Sequence, residues 1–214
     1  DHELEEGVYF KDGSFMLAEN KTVQTICTEA DINLLGGHNY ENILAAIAVS
    51  HYMGVPAEQI RKGVSGFKGV EHRIEYVDTI KDVAYYNDSK GTNTDAAIKG
   101  IKAMNRPTFL IGGGYDKKAE YDDWIEAFDG KVKELILLGA TAEKIEAAVC
   151  AAPEYQPGQP EILHAATLAE AVQLAQAHSV PGDIVTLSPA CAAFDQFKNF
   201  MVRGETYKRL VQAL

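Results

Sequence analysis

Residues 87–93 read Asn87-Asp88-Ser89-Lys90-Gly91-Thr92-Asn93, side chains of the kind that hold anions and sugars. Lys90 is a mobile positive charge, and Asp88 can accept hydrogen bonds from hydroxyls. The remainder can cap a following helix, whose N-terminus itself favours an anion. A well-capped loop with a solvated lysine has the same composition. Residues 112–118, Gly112-Gly113-Gly114-Tyr115-Asp116-Lys117-Lys118, permit close backbone approach and end in lysines suited to a carboxylate or phosphate. A plain strand-to-helix turn also uses glycine in this way. The spacing matches neither GxGxxG nor GxxxxGK[ST], and the second pattern occurs nowhere in the chain. Residues 188–200, Ser188-Pro189-Ala190-Cys191-Ala192-Ala193-Phe194-Asp195-Gln196-Phe197-Lys198-Asn199-Phe200, let a ligand or another backbone come close, and Asp195 is placed to cap the last helix. Cys191 is a candidate nucleophile, but no base adjoins it and a small buried thiol is the commoner state. Arg73, beside His72, can clamp phosphates bidentately or stand on the surface of a linker.

Composition narrows the chemistry. Twenty basic and 31 acidic residues give a charge of −11, which argues against general nucleic-acid binding. The six histidines show no HxxxH or HExxH spacing, so no metal site is expected from them. No apolar run approaches the roughly 20 residues of a membrane span. Cys27, Cys150 and Cys191 are far apart and form no CxxC pair, which suggests a reducing compartment. The acidic start, Asp1-His2-Glu3-Leu4-Glu5-Glu6, does not read as a signal peptide, and its glutamates are expected to be a solvated end. With no initiating Met, the chain is expected to be a fragment.

The elements that must carry these residues follow from apolar pattern. Residues 8–10, 14–17 and 22–28 read as strands, the first two joined by a hairpin turn at Lys11-Asp12-Gly13. Residues 39–53 read as a helix with Ile43, Ala46, Ile47 and Ser50 aligned, stopped by Gly54. Pro56 opens another, with Ile60, Val64 and Phe67 on one side. That is too little to close a sheet-based domain, so exposed apolar surface is expected there. After Gly69 the pattern changes. Apolar strands at 83–86, 108–111, 134–138, 162–163 and 184–187 alternate with helices at 94–104, 122–128, 141–151, 167–178 and the C-terminus. This alternation predicts a parallel sheet covered on both faces. Ligands bind beyond the carboxyl ends of such strands, which is where the three polar segments fall.

Taken in order, several stretches resemble the Mur ligases: Gly37-His38-Asn39-Tyr40-Glu41-Asn42, Gly69-Val70-Glu71-His72-Arg73, residues 87–93, Gly113-Gly114-Tyr115-Asp116-Lys117, residues 188–200 and Arg203-Gly204. Ser-Pro-Ala-Cys-Ala with Phe-Lys-Asn-Phe is similar to the D-glutamate-adding member. The resemblance implies an α/β chain in two parts. Residues 1–69 would be the C-terminal remnant of a central ATP-binding domain, and 70–214 a Rossmann-like C-terminal domain. The phosphate loop, magnesium ligands and carbamylated lysine of the family would lie upstream, in missing domains of the same enzyme. The implied reaction is cytoplasmic and belongs to peptidoglycan precursor synthesis. MgATP phosphorylates the carboxylate of UDP-N-acetylmuramoyl-L-alanine, and the amine of D-glutamate attacks the acyl phosphate to form an amide.

The resemblance also implies roles. Asn39 would lie near the adenine, Arg73 near the nucleotide, and Asp88 on the ribose hydroxyls. Lys90 would act catalytically, near the phosphates or the reacting centre. Thr92 and Lys117 would bind the D-glutamate carboxylates, and Phe194 and Phe200 would frame that pocket, Phe200 through its backbone. Ala193 stands where the family usually has serine, which removes a hydroxyl donor to the substrate. Gly91 in place of the commoner alanine is expected to be harmless. The 214 residues alone are expected to be inactive. Two other readings are another Mur-type or folylpolyglutamate-type ligase, and a non-catalytic nucleotide-binding module.

Overall fold

The computed structural model describes residues 4–214. The acidic start lies partly outside them: residues 1–3, Glu3 included, are not described, whereas Glu5 and Glu6 are exposed. The chain divides into two compact units, Asp1–Gly69 and Val70–Leu214.

In the first unit, β1 (Gly7–Lys11), β2 (Ser14–Glu19) and β3 (Thr22–Thr28) form an antiparallel sheet. Asp12 and Gly13 take φ of 47° and 73°, the positive values that a two-residue hairpin loop requires. Helices α1 (His38–Tyr52) and α2 (Ala57–Gly66) supply Ile43, Ile47 and Ile60 to a core with Phe15, Leu17 and Ile26. Ala46, expected on the buried side of α1, is exposed, and Val49, Tyr52 and Met53 are exposed with it. The middle of the helix, Ile43–Val49, is an unbroken apolar run, so the pattern separates the covered Ile43 and Ile47 from the exposed Ala46 only weakly. Pro56 is the N-cap of α2 rather than its first residue, and Phe67, beyond its end, is exposed.

The second unit is built on a six-stranded sheet. Its strands are β4 (Glu75–Ile80), β5 (Val83–Asn87), β6 (Thr108–Gly112), β7 (Val132–Leu137), β8 (Glu161–His164) and β9 (Ile184–Leu187), in the spatial order β4-β5-β9-β6-β7-β8. All neighbours are parallel except β4, which runs antiparallel to β5 at the edge. Strand β4 was not expected from the sequence. It alternates half-buried and exposed residues and carries Glu75 and Asp78, so it lacks the apolar run that marks the central strands.

Helices α3 (Thr94–Ala103), α4 (Asp122–Glu126) and α5 (Ala142–Ala151) cover one face, where Ile101, Trp124, Ile145 and Val149 meet Leu110, Leu135 and Leu137. Helices α6 (Leu168–His178) and α7 (Phe200–Gln212) cover the other, where Val172, Ala175, Tyr207 and Val211 meet Phe109, Ile111, Val185 and Leu187. The Val, Leu, Ile and Phe side chains among these contribute about 1.5–3 kcal/mol each when fully buried. The residue capping α7 is Asn199, whose Oδ1 accepts from Val202 N–H at 2.9 Å, not Asp195. Asp195 instead accepts from Ala140 N–H. Among the described residues no helix is long and apolar enough to cross a membrane.

Candidate functional site

Strand order explains why three segments far apart in sequence can meet. The last strand, β9, inserts between β5 and β6, with Leu187 level with Asn87 on one side and Ile111 on the other. The turns at 87–93, 188–200 and 112–118 therefore leave the sheet side by side, at the carboxyl ends of adjacent strands, where the connection from β5 to β6 steps over β9.

The first turn is anchored from beneath. Asn87 donates through Nδ2 to His72 Nδ1 and Glu75 Oε2, both at 3.0 Å, and accepts from Ser89 N–H through Oδ1. That pattern assigns Nδ1 of His72 as the acceptor. Asp88 is 2% exposed. Its Oδ1 accepts from Ile74 N–H at 3.2 Å and its Oδ2 from the Ser188 hydroxyl at 2.7 Å. Burial pushes its carboxyl up to about 6, against the opposing pull of those hydrogen bonds and of the Arg73 and Arg203 charges. The carboxylate expected to meet ribose hydroxyls is thus turned inward, tying the end of β5 to the end of β9.

Two glycines make room for it. A Cβ on Gly100 of α3 would lie 2.5 Å from Asp88 Oδ2 and 2.7 Å from Ser188 Oγ, and one on Gly91 would lie 2.8 Å from the same carboxylate oxygen. A Cβ at position 91, where the family commonly has alanine, would press on Asp88 as it stands, so the glycine suits the inward placement of that carboxylate. Lys90 is exposed, with its N–H on the His72 carbonyl at 2.9 Å, which sets residue 90 beside the turn that carries Arg73. No side chain among the described residues pairs with the Lys90 ammonium.

The second and third turns are stitched together by backbone. Gly113 N–H donates to Pro189 O and Tyr115 N–H to Ala192 O, each at 2.9 Å. The Tyr115 and Phe194 rings meet edge to face, centroids 6.2 Å apart. Phe194 is 64% exposed, whereas Ala193 is buried. Lys117, also exposed, donates to the Thr92 carbonyl at 3.0 Å and so joins the first turn to the second. Phe200 lies edge-on to His72, and its carbonyl accepts from the Ser89 hydroxyl at 2.8 Å. Cys191 is buried, which pushes its thiol up, as befits a packed cysteine rather than a nucleophile.

A residue given no role by the sequence argument holds the inner side. Arg203, 2% exposed on α7, donates to Ser89 Oγ (3.0 Å), Ser89 O (2.9 Å), Cys191 O (3.1 Å) and Ala192 O (3.3 Å). These carbonyls satisfy a guanidinium that burial draws down to about 10. A signal for it existed: Arg203, Tyr207 and Val211 share the buried stripe of α7, and a charge on such a stripe needs partners.

The second unit thus brings together Arg73, Asp88, Lys90, Thr92, Lys117, Ala193, Phe194 and Phe200. Asn39 belongs to the first unit, in the opening turn of α1, where its amide donates to Leu35 O at 2.7 Å and accepts from Asn42. Lys90, Lys117 and Arg73 put positive charge at the rim of an acidic chain, which suits an anionic ligand.

The family described as "Mur ligase, glutamate ligase domain" matches residues 72–191. The UDP-N-acetylmuramoylalanine--D-glutamate ligase of Thermoanaerobacter sp. (strain X514) is 49% identical over 211 residues, 99% of this chain and 46% of that protein. The enzyme of the same name from Lachnoclostridium phytofermentans is 45% identical over 212 residues, again 99% of this chain and 46% of that protein. The chain therefore spans about half the length of the curated relatives it matches. Among solved structures, UDP-N-acetylmuramate-alanine ligase from Thermotoga maritima has a TM-score of 0.61 at 13% identity, covering 94% of this chain and 44% of that one. Folylpolyglutamate synthase from the same organism has a TM-score of 0.58 at 17% identity, covering 94% and 44%. Those two likenesses are of fold alone.

Proposed function

Because the chain belongs to the Mur ligase family, we propose that it is the amino-acid-binding portion of an ATP-dependent ligase that joins D-glutamate to UDP-N-acetylmuramoyl-L-alanine. The product would serve cytoplasmic peptidoglycan precursor synthesis. In this reading Asp1–Gly69 is the end of a central nucleotide-binding domain and Val70–Leu214 the C-terminal domain. Relatives at 45–49% identity named for this reaction support the substrate. The observation that carries the reading is the Lys117–Thr92 bond at 3.0 Å, which sets a cation and a polar turn at the carboxyl ends of adjacent strands.

A free carboxylate is a poor electrophile. ATP supplies the phosphoryl group that converts it into an acyl phosphate, with phosphate as leaving group. The residues of this chain then have three tasks. Lys117, with Thr92, holds a D-glutamate carboxylate by charge-assisted hydrogen bonds, and Ala193 and Phe194 close the pocket with Phe200 behind them. Lys90, exposed and unpaired among the described residues, offsets charge on the phosphoryl group while the amine attacks. Arg73 pairs with nucleotide phosphates, and Asn39 lies near the base. Asp88 acts by holding its turn in place rather than by touching a sugar.

The donor set does not fit a resident magnesium. Glu71, His72 and Glu205 bring ligand atoms within 4.8 Å of one another, but the Lys208 ammonium already lies 2.6 Å from Glu71 and 2.8 Å from Glu205. Imidazole is also a poor ligand for that ion.

The test is incorporation of radiolabelled D-glutamate into UDP-N-acetylmuramoyl-L-alanine by the full-length protein, with ATP. Phosphate release and an amide product are expected. Addition of a different amino acid to that acceptor, or of glutamate to a folate, would move the reading to another ligase of the family. Binding of ATP without any product would support a non-catalytic module.

A further inference from the structure

We infer that Thr141, at the turn after β7, is a positioning residue that sets the Lys117 turn against the 188–200 turn and thereby governs how tightly the amino-acid substrate is held. This rests on the reading that those turns bind D-glutamate. Thr141 is 0% exposed and precedes α5 as its N-cap. A threonine there ordinarily turns its hydroxyl to the helix N–H groups. Here it makes no such bond. Its Oγ accepts from Gly114 N–H at 3.0 Å and donates to Gly114 O at 3.1 Å, and it lies 3.3 Å from Cys191 Sγ. The Thr141 N–H adds a bond to Gly114 O at 3.1 Å.

The two residues so joined lie at the bases of the two turns. Gly114 precedes Tyr115 and Lys117; Cys191 precedes Ala193 and Phe194. Tyr121 OH stands 3.2 Å from Cys191 Sγ. One arrangement places all three side-chain protons within the cluster: Tyr121 O–H to Cys191 Sγ, Cys191 S–H to Thr141 Oγ, and Thr141 O–H to Gly114 O. It leaves the Thr141 oxygen with two donors and one acceptor, its full capacity. A second tie from the same turn, Ala140 N–H to Asp195 Oδ2 at 3.1 Å, holds the outer part of the 188–200 segment. Residues 140 and 141 therefore tie both substrate turns without belonging to either.

Steady-state kinetics of the full-length protein test this with Thr141→Val, which keeps the shape and loses the hydroxyl, and Thr141→Ser, which keeps the hydroxyl. For Thr141→Val the KM for D-glutamate is expected to rise about tenfold, with kcat and the KM for ATP and for the nucleotide-sugar substrate within about twofold. Thr141→Ser is expected to restore the wild-type KM. An unchanged D-glutamate KM in Thr141→Val, an equal rise for all three substrates, or a serine variant as weak as the valine one would overturn the inference. Should Thr141→Val not fold, Cys191→Ala removes the donor to Thr141 and is expected to raise the same KM selectively; a selective effect on ATP instead would overturn it. If the wild type incorporates a different amino acid, the D-glutamate assignment fails and the comparison is made with that amino acid. If it incorporates none, both readings fall.

Discussion

The Lys117 ammonium donates to the main-chain carbonyl of Thr92 at 3.0 Å, across 25 residues of sequence. The bond spans two strand-end turns, so a carboxylate arriving there meets a lysine already brought to its place. Charge-assisted bonds of this kind are worth about 1.5–3 kcal/mol. Lys117→Ala in the full-length protein is therefore expected to raise the KM for D-glutamate roughly 10- to 100-fold and to leave the KM for ATP nearly unchanged. An unaltered D-glutamate KM would remove Lys117 from the site.

Ala193 lies where the family resemblance places a serine that donates to the substrate. Ala193→Ser is expected to lower the D-glutamate KM by a few-fold, on the order of one neutral hydrogen bond. If the two KM values coincide, the backbone of that turn already supplies what the hydroxyl would add.

Gly100→Ala sets two effects against each other. Alanine favours a helix interior by about 1 kcal/mol over glycine. The added methyl, however, meets Asp88 Oδ2 at 2.5 Å and Ser188 Oγ at 2.7 Å, and such overpacking costs about 1–3 kcal/mol. We expect net destabilisation, read as a lower urea midpoint with an unchanged slope. A higher midpoint would mean that the carboxylate has room to move aside.

The buried Asp88 predicts a pH dependence of stability. Its carboxyl rises from an ordinary 3.8 to about 6 on folding, chiefly through burial. An acid with a raised folded pKa makes the native state bind the proton more tightly. Its contribution is fully present below about pH 4 and is lost as the pH climbs through 6. Two pKa units correspond to about 3 kcal/mol. Asp88→Asn removes the titration, so its unfolding free energy should gain on that of the wild type between pH 4 and 6.5 and stay level above. Parallel profiles of the two proteins across that range would contradict the burial argument.

The three thiols should separate by reactivity. Cys150 is exposed, whereas Cys27 and Cys191 are buried, and burial followed by the nearby Asp31 charge pushes Cys27 up to about 11. Native labelling with a thiol-specific alkylating reagent near pH 7.5, followed by peptide mapping, should modify Cys150 alone among them. Denaturant should expose the other two. Rapid native labelling at Cys191 would show that the Tyr121–Thr141 cluster opens.

Much of this was legible in sequence because each central strand is a short apolar run closed by glycine or a polar turn, as Thr108–Gly112 illustrates. Strand β4 escaped because an edge strand with one wet face mixes Glu75 and Asp78 into its pattern. The three polar turns lie at strand ends, as the apolar pattern implied, but the sequence gives no strand order, and order alone makes them neighbours. The inward turn of Asp88 depends on Ser188, 100 residues away, and on the bare backbone of Gly100, so composition could only describe an available acceptor. Thr141 had no role in the sequence beyond opening the helix at 141–151, because the partner it prefers, Gly114, lies on a different strand end.

The position of β9 also bears on how the chain comes to be folded. During synthesis β5, β6, β7 and β8 emerge before the strand that must lie between the first two of them. Until residue 187 has left the ribosome, β5 and β6 lack the strand that each pairs with in the finished sheet, and an apolar strand without its partner is open to pairing with another nascent chain. Completion of the second unit is thereby deferred to its final segment, and any product that stops short of Leu187 would lack the centre of its sheet.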